Sequence, residues 1–197
     1  MTTFFLIRHA SCDGLGQTLW GRTLGICLNE EGKLQAGQLA ERCQGFDAVY
    51  SSPLERALET ADALASRMKL EVTSSAALNE IDYGEWSGKT FEQLHCDERW
   101  RHFNSRRSMT SIPGGESFLE VQNRVVKEID RLSHEHRDGC VALVSHADPI
   151  RAAVAYFAAT PIDLIERFEI SPCSVSVIVL DDSGPRISRI NADFLSV

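Results

Sequence analysis

The sequence predicts an α/β fold: a three-layer sandwich with a mostly parallel central sheet and helices on both faces. Two patterns carry this. Short apolar runs at residues 3–7, 48–50 and 141–145 lack polar alternation, as strands buried on both faces do. Segments with helix start signals or helical spacing lie between and after them, and strands alternating with helices give parallel sheets. The 197 residues suit one domain, 1–197, with a small cap segment at about 89–112.

Taken in order, residues 3–7 form the first strand. Residues 10–29 carry four glycines and no period, and read as a long loop. Asn29 caps a helix over 30–43, with Leu34 and Leu39 turned inward. After the strand at 48–50, Ser52 as N-cap and Pro53 at the first helical position open a helix to about Met68. Residues 69–73 form a third strand and 79–88 a loop. Pro113-Gly114-Gly115 breaks the chain before a helix over 116–136, with Phe118, Val121, Val125, Ile129 and Leu132 on one face. The strand at 141–145 is followed by a helix that Pro149 starts and that runs through Phe157. Residues 174–180 and 185–190 close the sheet as an antiparallel pair.

The 20 Lys+Arg against 28 Asp+Glu leave a formal net charge of -8, which disfavours nucleic acid and anionic membranes as partners but not a small anion. No apolar run reaches the length of a membrane span and the N-terminus lacks a basic leader. The six cysteines are scattered without a Cys-x-x-Cys, so reduced thiols in a cytoplasmic protein are expected. The sequence sets no oligomeric state.

In parallel sheets ligands bind beyond the C-terminal strand ends. The first strand ends in Arg8-His9. The second ends in Ser51-Ser52, with Arg56 one turn into the next helix. The strand at 141–145 ends in His146, and Glu80 and Asp82 lie in a loop within reach. Singly, each has a structural explanation. Together, two arginines and two imidazoles at one sheet edge suit a tetrahedral phosphoryl dianion.

These residues resemble the histidine phosphatase superfamily, the phosphoglycerate-mutase-like proteins. The resemblance rests on Leu6-Ile7-Arg8-His9, on Ser51-Ser52-Pro53-Leu54-Glu55-Arg56-Ala57-Leu58-Glu59-Thr60-Ala61, and on Leu78-Asn79-Glu80-Ile81-Asp82-Tyr83-Gly84-Glu85-Trp86-Ser87-Gly88. Pro113-Gly114-Gly115-Glu116-Ser117 and Val144-Ser145-His146 follow in family order, and Gly21-Arg22 with Leu28-Asn29-Glu30-Glu31-Gly32 resembles a further phosphate-pocket stretch. Two positions depart from the pattern. Ala10 stands where the family usually has Gly, and Ala147-Asp148 where it has Gly-Gly. An Asp there is expected to alter substrate choice or the pKa of His146. Nothing carries over onto residues 11–20.

The resemblance implies that His9 is a nucleophile that becomes transiently phosphorylated. Arg8, Arg56 and His146 hold the phosphoryl oxygens, Arg22 and Gly21 add to the phosphate site, and Glu80 is the general acid, with Asp82 its rival. It implies no metal and no cofactor. The substrate expected is a small phosphorylated metabolite, and the short 89–112 stretch favours a phosphatase over a mutase. That stretch is also basic and aromatic, and two readings stand: a solvated amphipathic helix face with Trp100 and Phe103 in the core, or a lid whose Arg106 and Arg107 meet further negative charge on the substrate.

Other chemistries fit less well. No cysteine starts a Cys-x5-Arg phosphatase motif, and Walker A and Gly-x-Ser-x-Gly patterns are missing. A metallohydrolase built on His146, Asp148, His9 and Asp82 would set arginines beside a metal. An inactive phosphate-binding protein would not need every catalytic position filled.

Overall fold

The computed structural model describes residues 1–193. A six-stranded sheet runs in the order β3-β2-β4-β1-β5-β6. β1 (Thr2–Arg8), β4 (Cys140–Ser145), β2 (Ala48–Ser51) and β3 (Val72–Ser74) are mutually parallel, while β5 (Val175–Asp181) runs antiparallel to β1 and β6 (Gly184–Ala192) antiparallel to β5. The predicted mostly parallel sheet and closing pair are both present.

Strand period decides which face each residue serves. Phe4, Leu6, Val141 and Leu143 pack with Val125, Ile129 and Leu132 of α5 (Phe118–Glu135) and Ile150 and Val154 of α6 (Ala147–Phe157). Ile7, Ala142 and Val144 pack on the opposite face with Leu39 and Ala40 of α1 (Glu30–Arg42) and Ala57, Ala61 and Leu64 of α2 (Glu55–Met68). A third cluster, rich in aromatics, joins Trp86, Phe103 and Phe118 at the C-terminal edge of the sheet.

Several boundaries differ from the expected ones, each for a local reason. Leu34 is 69% exposed rather than inward, because α1 buries Gly32, Ala36, Leu39 and Ala40, and Leu34 lies off that stripe. α2 starts at Glu55 with Leu54 as its cap, not at Pro53. The Ser52 hydroxyl accepts the Leu54 N–H at 3.3 Å and also meets Asn79 Oδ1 at 3.0 Å and His146 Nε2 at 2.8 Å. α6 starts at Ala147, with His146 as N-cap, and Pro149 fits inside the first turn because its missing N–H has no helical partner there anyway. β3 begins at Val72, after Lys69 has ended α2 in the left-handed region at φ 58°. α5 begins at Phe118, two residues late, behind a Ser117–Glu120 capping box.

The 89–112 stretch folds into two short helices, α3 (Phe91–His95) and α4 (Glu98–Ser105). Trp100 and Phe103 of α4 are buried in the aromatic cluster, as their core reading required.

Candidate active site

Parallel register brings the predicted groups together. Arg8 pairs with Ser145 across β1 and β4, so the next residues, His9 and His146, leave their strands side by side. Their ring centroids are 5.0 Å apart. The His9 N–H continues the ladder to the Ser145 carbonyl at 2.9 Å, and the Ser52 N–H does the same to Val144 at 2.9 Å. Arg56 follows from the first turn of α2, and its NH2 donates to the Gly21 carbonyl at 2.8 Å. Gly21 holds φ at +54°, which turns its carbonyl toward Arg56 in a conformation that glycine tolerates.

His9 is buried, and its Nδ1 lies 2.7 Å from the Ala10 carbonyl. A carbonyl can only accept, so Nδ1 carries the proton and Nε2 keeps a free lone pair. Burial, with Arg56 and Arg8 adding to it, holds the His9 pKa well below the ordinary value of 6.5. Burial, His9 and the same arginines do likewise for His146. Both rings are neutral near pH 7.

Three buried nitrogens here, Arg8 Nε, Arg56 NH1 and His146 Nδ1, have no hydrogen-bond partner among the described residues. Buried polar atoms are otherwise nearly always satisfied. A cavity of about 650 Å³ opens over this edge, with Arg8, His9, Arg56 and Glu80 in its wall. Glu80 Oε1 accepts from the Ile81 N–H at 2.9 Å. Burial, and then the charge of Asp148, push the Glu80 pKa up to about 7, against the pull of Arg56 and Arg8.

Arg22 is placed apart from these groups. Its Nε donates to the Glu80 backbone carbonyl at 2.8 Å and its NH2 to Glu116 Oε2 at 2.8 Å. Arg124 braces the same loop from α5, reaching Glu116, the Ala77 carbonyl and the Glu80 carbonyl. Asp82 accepts from the Gly84 N–H at 2.9 Å and lies outside the cavity wall. Arg106 and Arg107 part company: Arg106 is exposed and outside the cavity, whereas Arg107 is buried in its wall and ion-paired to Glu166 at 2.6 Å.

Sequence reasoning missed part of the wall. Tyr83, Arg151 and Glu166 line it, and Trp20 lines it from the loop left unassigned. The Tyr83 hydroxyl donates to Asp148, the residue singled out as a departure, and Arg151 NH1 donates to the same carboxylate at 2.9 Å. The spacing of Asp148 and Arg151, one helical turn apart, was the available signal. Glu166 sits in a 3₁₀ turn, Ile162–Arg167, that carries no period. Among the described residues no three His, Cys, Asp or Glu side chains cluster as a metal site, so His9, His146, Asp82 and Asp148 do not converge on one point.

The profile of the histidine phosphatase superfamily (branch 1) matches residues 4–193. Phosphoserine phosphatase 1 of Hydrogenobacter thermophilus is 31% identical over 195 residues, covering 97% of this chain and 92% of its own length. The 2,3-bisphosphoglycerate-dependent phosphoglycerate mutase of Thermoplasma acidophilum is 30% identical over 196 residues, covering 98% and 93%. A mutant phosphoserine phosphatase of Entamoeba histolytica, solved in complex with phosphoserine, matches with a TM-score of 0.88 at 27% identity over 98% of each chain. Fold and sequence thus agree over nearly the whole length, and the chain belongs to the histidine phosphatase superfamily, branch 1, as a histidine phosphatase.

Proposed function

We propose that the protein hydrolyses a small phosphorylated metabolite by a two-step route through phosphohistidine at His9. The carrying observation is the neutral, tautomer-fixed His9 beside three unpartnered buried nitrogens. His9 Nε2 attacks phosphorus, and the ester P–O bond breaks as Glu80 gives its proton to the leaving oxygen. Arg8 and Arg56 hold the equatorial oxygens while charge spreads over them, and His146 joins them through Nδ1–H in the tautomer whose Nε2 accepts from the Ser52 hydroxyl. Glu80, now a carboxylate, takes a proton from water, which attacks the phosphohistidine and releases phosphate. A carboxyl pKa of about 7 suits a group that must give and take a proton in turn. Gly21 orients Arg56 through its carbonyl, and Arg22 steadies the Glu80 loop rather than touching phosphate.

The phosphoglycerate mutase relative supports a second reading, in which a substrate hydroxyl replaces water as acceptor. Release of inorganic phosphate from an alkyl phosphate, unchanged by chelator, supports hydrolysis. Phosphate moved to a second hydroxyl with no free phosphate contradicts it. We place the reaction in the cytoplasm, a reading supported by the six free cysteines. No described helix is long and apolar enough to cross a membrane.

A further inference from the structure

The cavity wall away from Arg8 and Arg56 carries charges of both signs. Asp148 and Arg151 sit one turn apart on α6 and pair at 2.9 Å. Arg107 pairs with Glu166 at 2.6 Å, and Glu166 lies 3.8 Å from Arg151. All four line the cavity and their formal charges cancel, while Arg101, also in the lining, is paired with Glu98 at 3.6 Å. The Asp148 carboxylate influences both Glu80 and Arg8, so this wall adjoins the phosphate-binding groups.

A neutral wall made of full charges has a selective consequence. A second phosphate on the substrate would meet Arg151 and Arg107 only alongside the carboxylates of Asp148 and Glu166. An uncharged arm would leave four charges facing it without gain. An arm with one positive and one negative group matches the wall as it stands. Asp148 has spare lone pairs, since a carboxylate accepts about four hydrogen bonds and Tyr83 and Arg151 supply two. Arg151 uses Nε on the Phe168 carbonyl and NH1 on Asp148, which leaves NH2 facing Glu166 at ion-pair distance.

Resting on the phosphatase reading above, we propose that Asp148 and Arg151 form the receptor for the zwitterionic end of a phosphorylated amino acid. Asp148 receives the ammonium group and Arg151 the carboxylate. The substrate class is then an O-phospho-amino acid of serine size, in preference to a hydroxy-acid phosphate or a bisphosphate.

O-Phospho-L-serine and 3-phospho-L-glycerate differ only in bearing an ammonium or a hydroxyl at the same carbon with the same configuration, so their ratio of kcat/KM isolates that group. An aryl phosphate reports the chemistry alone. The wild type is expected to favour phosphoserine by roughly 10-fold or more, the worth of a charge-assisted hydrogen bond. Asp148→Asn, which keeps the size and loses the charge, is expected to reduce that ratio roughly 10-fold, mainly through KM. Arg151→Lys is expected to lower both carboxylated substrates together relative to the aryl phosphate. A wild-type ratio at or below one overturns the proposal without any variant. So does a ratio unchanged in an Asp148→Asn protein that still cleaves the aryl phosphate, since Asp148 would then only brace Arg151. If the wild type leaves the aryl phosphate and both metabolites intact, the phosphatase reading itself falls and the proposal with it.

Discussion

His9 and Glu80 show how burial sets opposite protonation states within one cavity. Removing water disfavours any charged form, so the imidazole loses its proton readily while the carboxyl keeps its own. Nucleophile and acid are therefore both poised near pH 7. Glu80→Gln is expected to lower kcat for an alkyl phosphate roughly 10²–10⁴-fold. The loss is expected to shrink for an aryl phosphate, whose leaving oxygen needs little protonation. For the alkyl phosphate, kcat is also expected to fall as pH rises through about 7, where Glu80 loses its proton. Steady-state kinetics on the two substrates across pH checks all three. Asp82→Asn is expected to matter less, because that carboxylate is engaged by the Gly84 N–H away from the cavity. His9, Arg8, Arg56 and His146 were legible in the sequence because strand ends are fixed points of the fold. The contact of Arg22 with Glu116 was not legible, because the two lie 94 residues apart and no local pattern encodes that pairing.

Elements were legible where burial is periodic and less so at their ends. Phe118, Val121, Val125, Ile129 and Leu132 form an unbroken stripe on α5, and all are buried. Leu34 and Leu39 of α1 look alike in sequence, yet only Leu39 is on the inward stripe. Leu39→Ala is expected to cost about 2–5 kcal/mol, whereas Leu34→Ala stays within about 0.5 kcal/mol, by denaturant unfolding. The start of α2 was placed two residues early: Ser52 Oγ accepts the Leu54 N–H ahead of the helix and also meets His146, so one hydroxyl serves both the helix start and the site. The acid loop is held by backbone contact: a Cβ on Gly84 would fall 2.2 Å from the Pro113 carbonyl oxygen, at φ +45°. Gly84→Ala is expected to push the loop off the Pro-Gly-Gly turn, lowering both kcat and the melting temperature.

For the whole molecule, the same buried groups couple function to stability. His9 and His146 have folded pKa values below 6.5, so between those values and 6.5 the unfolded chain binds two protons that the native chain refuses. Their contribution is complete above pH 6.5 and is lost as pH falls. Glu80 acts in the opposite sense, because its folded pKa of about 7 exceeds 4.5 and the native chain holds the extra proton in between. Two histidines act against one carboxyl, so stability is expected to decline as pH falls below 6.5. His146→Gln is expected to flatten that slope, measured by denaturant unfolding at each pH.

Chemical trapping of the intermediate bears most directly on the central claim, that a neutral His9 takes the phosphoryl group on Nε2. Rapid acid-free quenching during turnover of a ³²P-labelled substrate is expected to leave label that is stable to alkali and lost in acid. NMR of the trapped protein is expected to place it on Nε2 of His9, because Nδ1 is held by the Ala10 carbonyl. His9→Ala is expected to abolish both label and turnover. Label that survives His9→Ala, or that is acid-stable, would contradict the account.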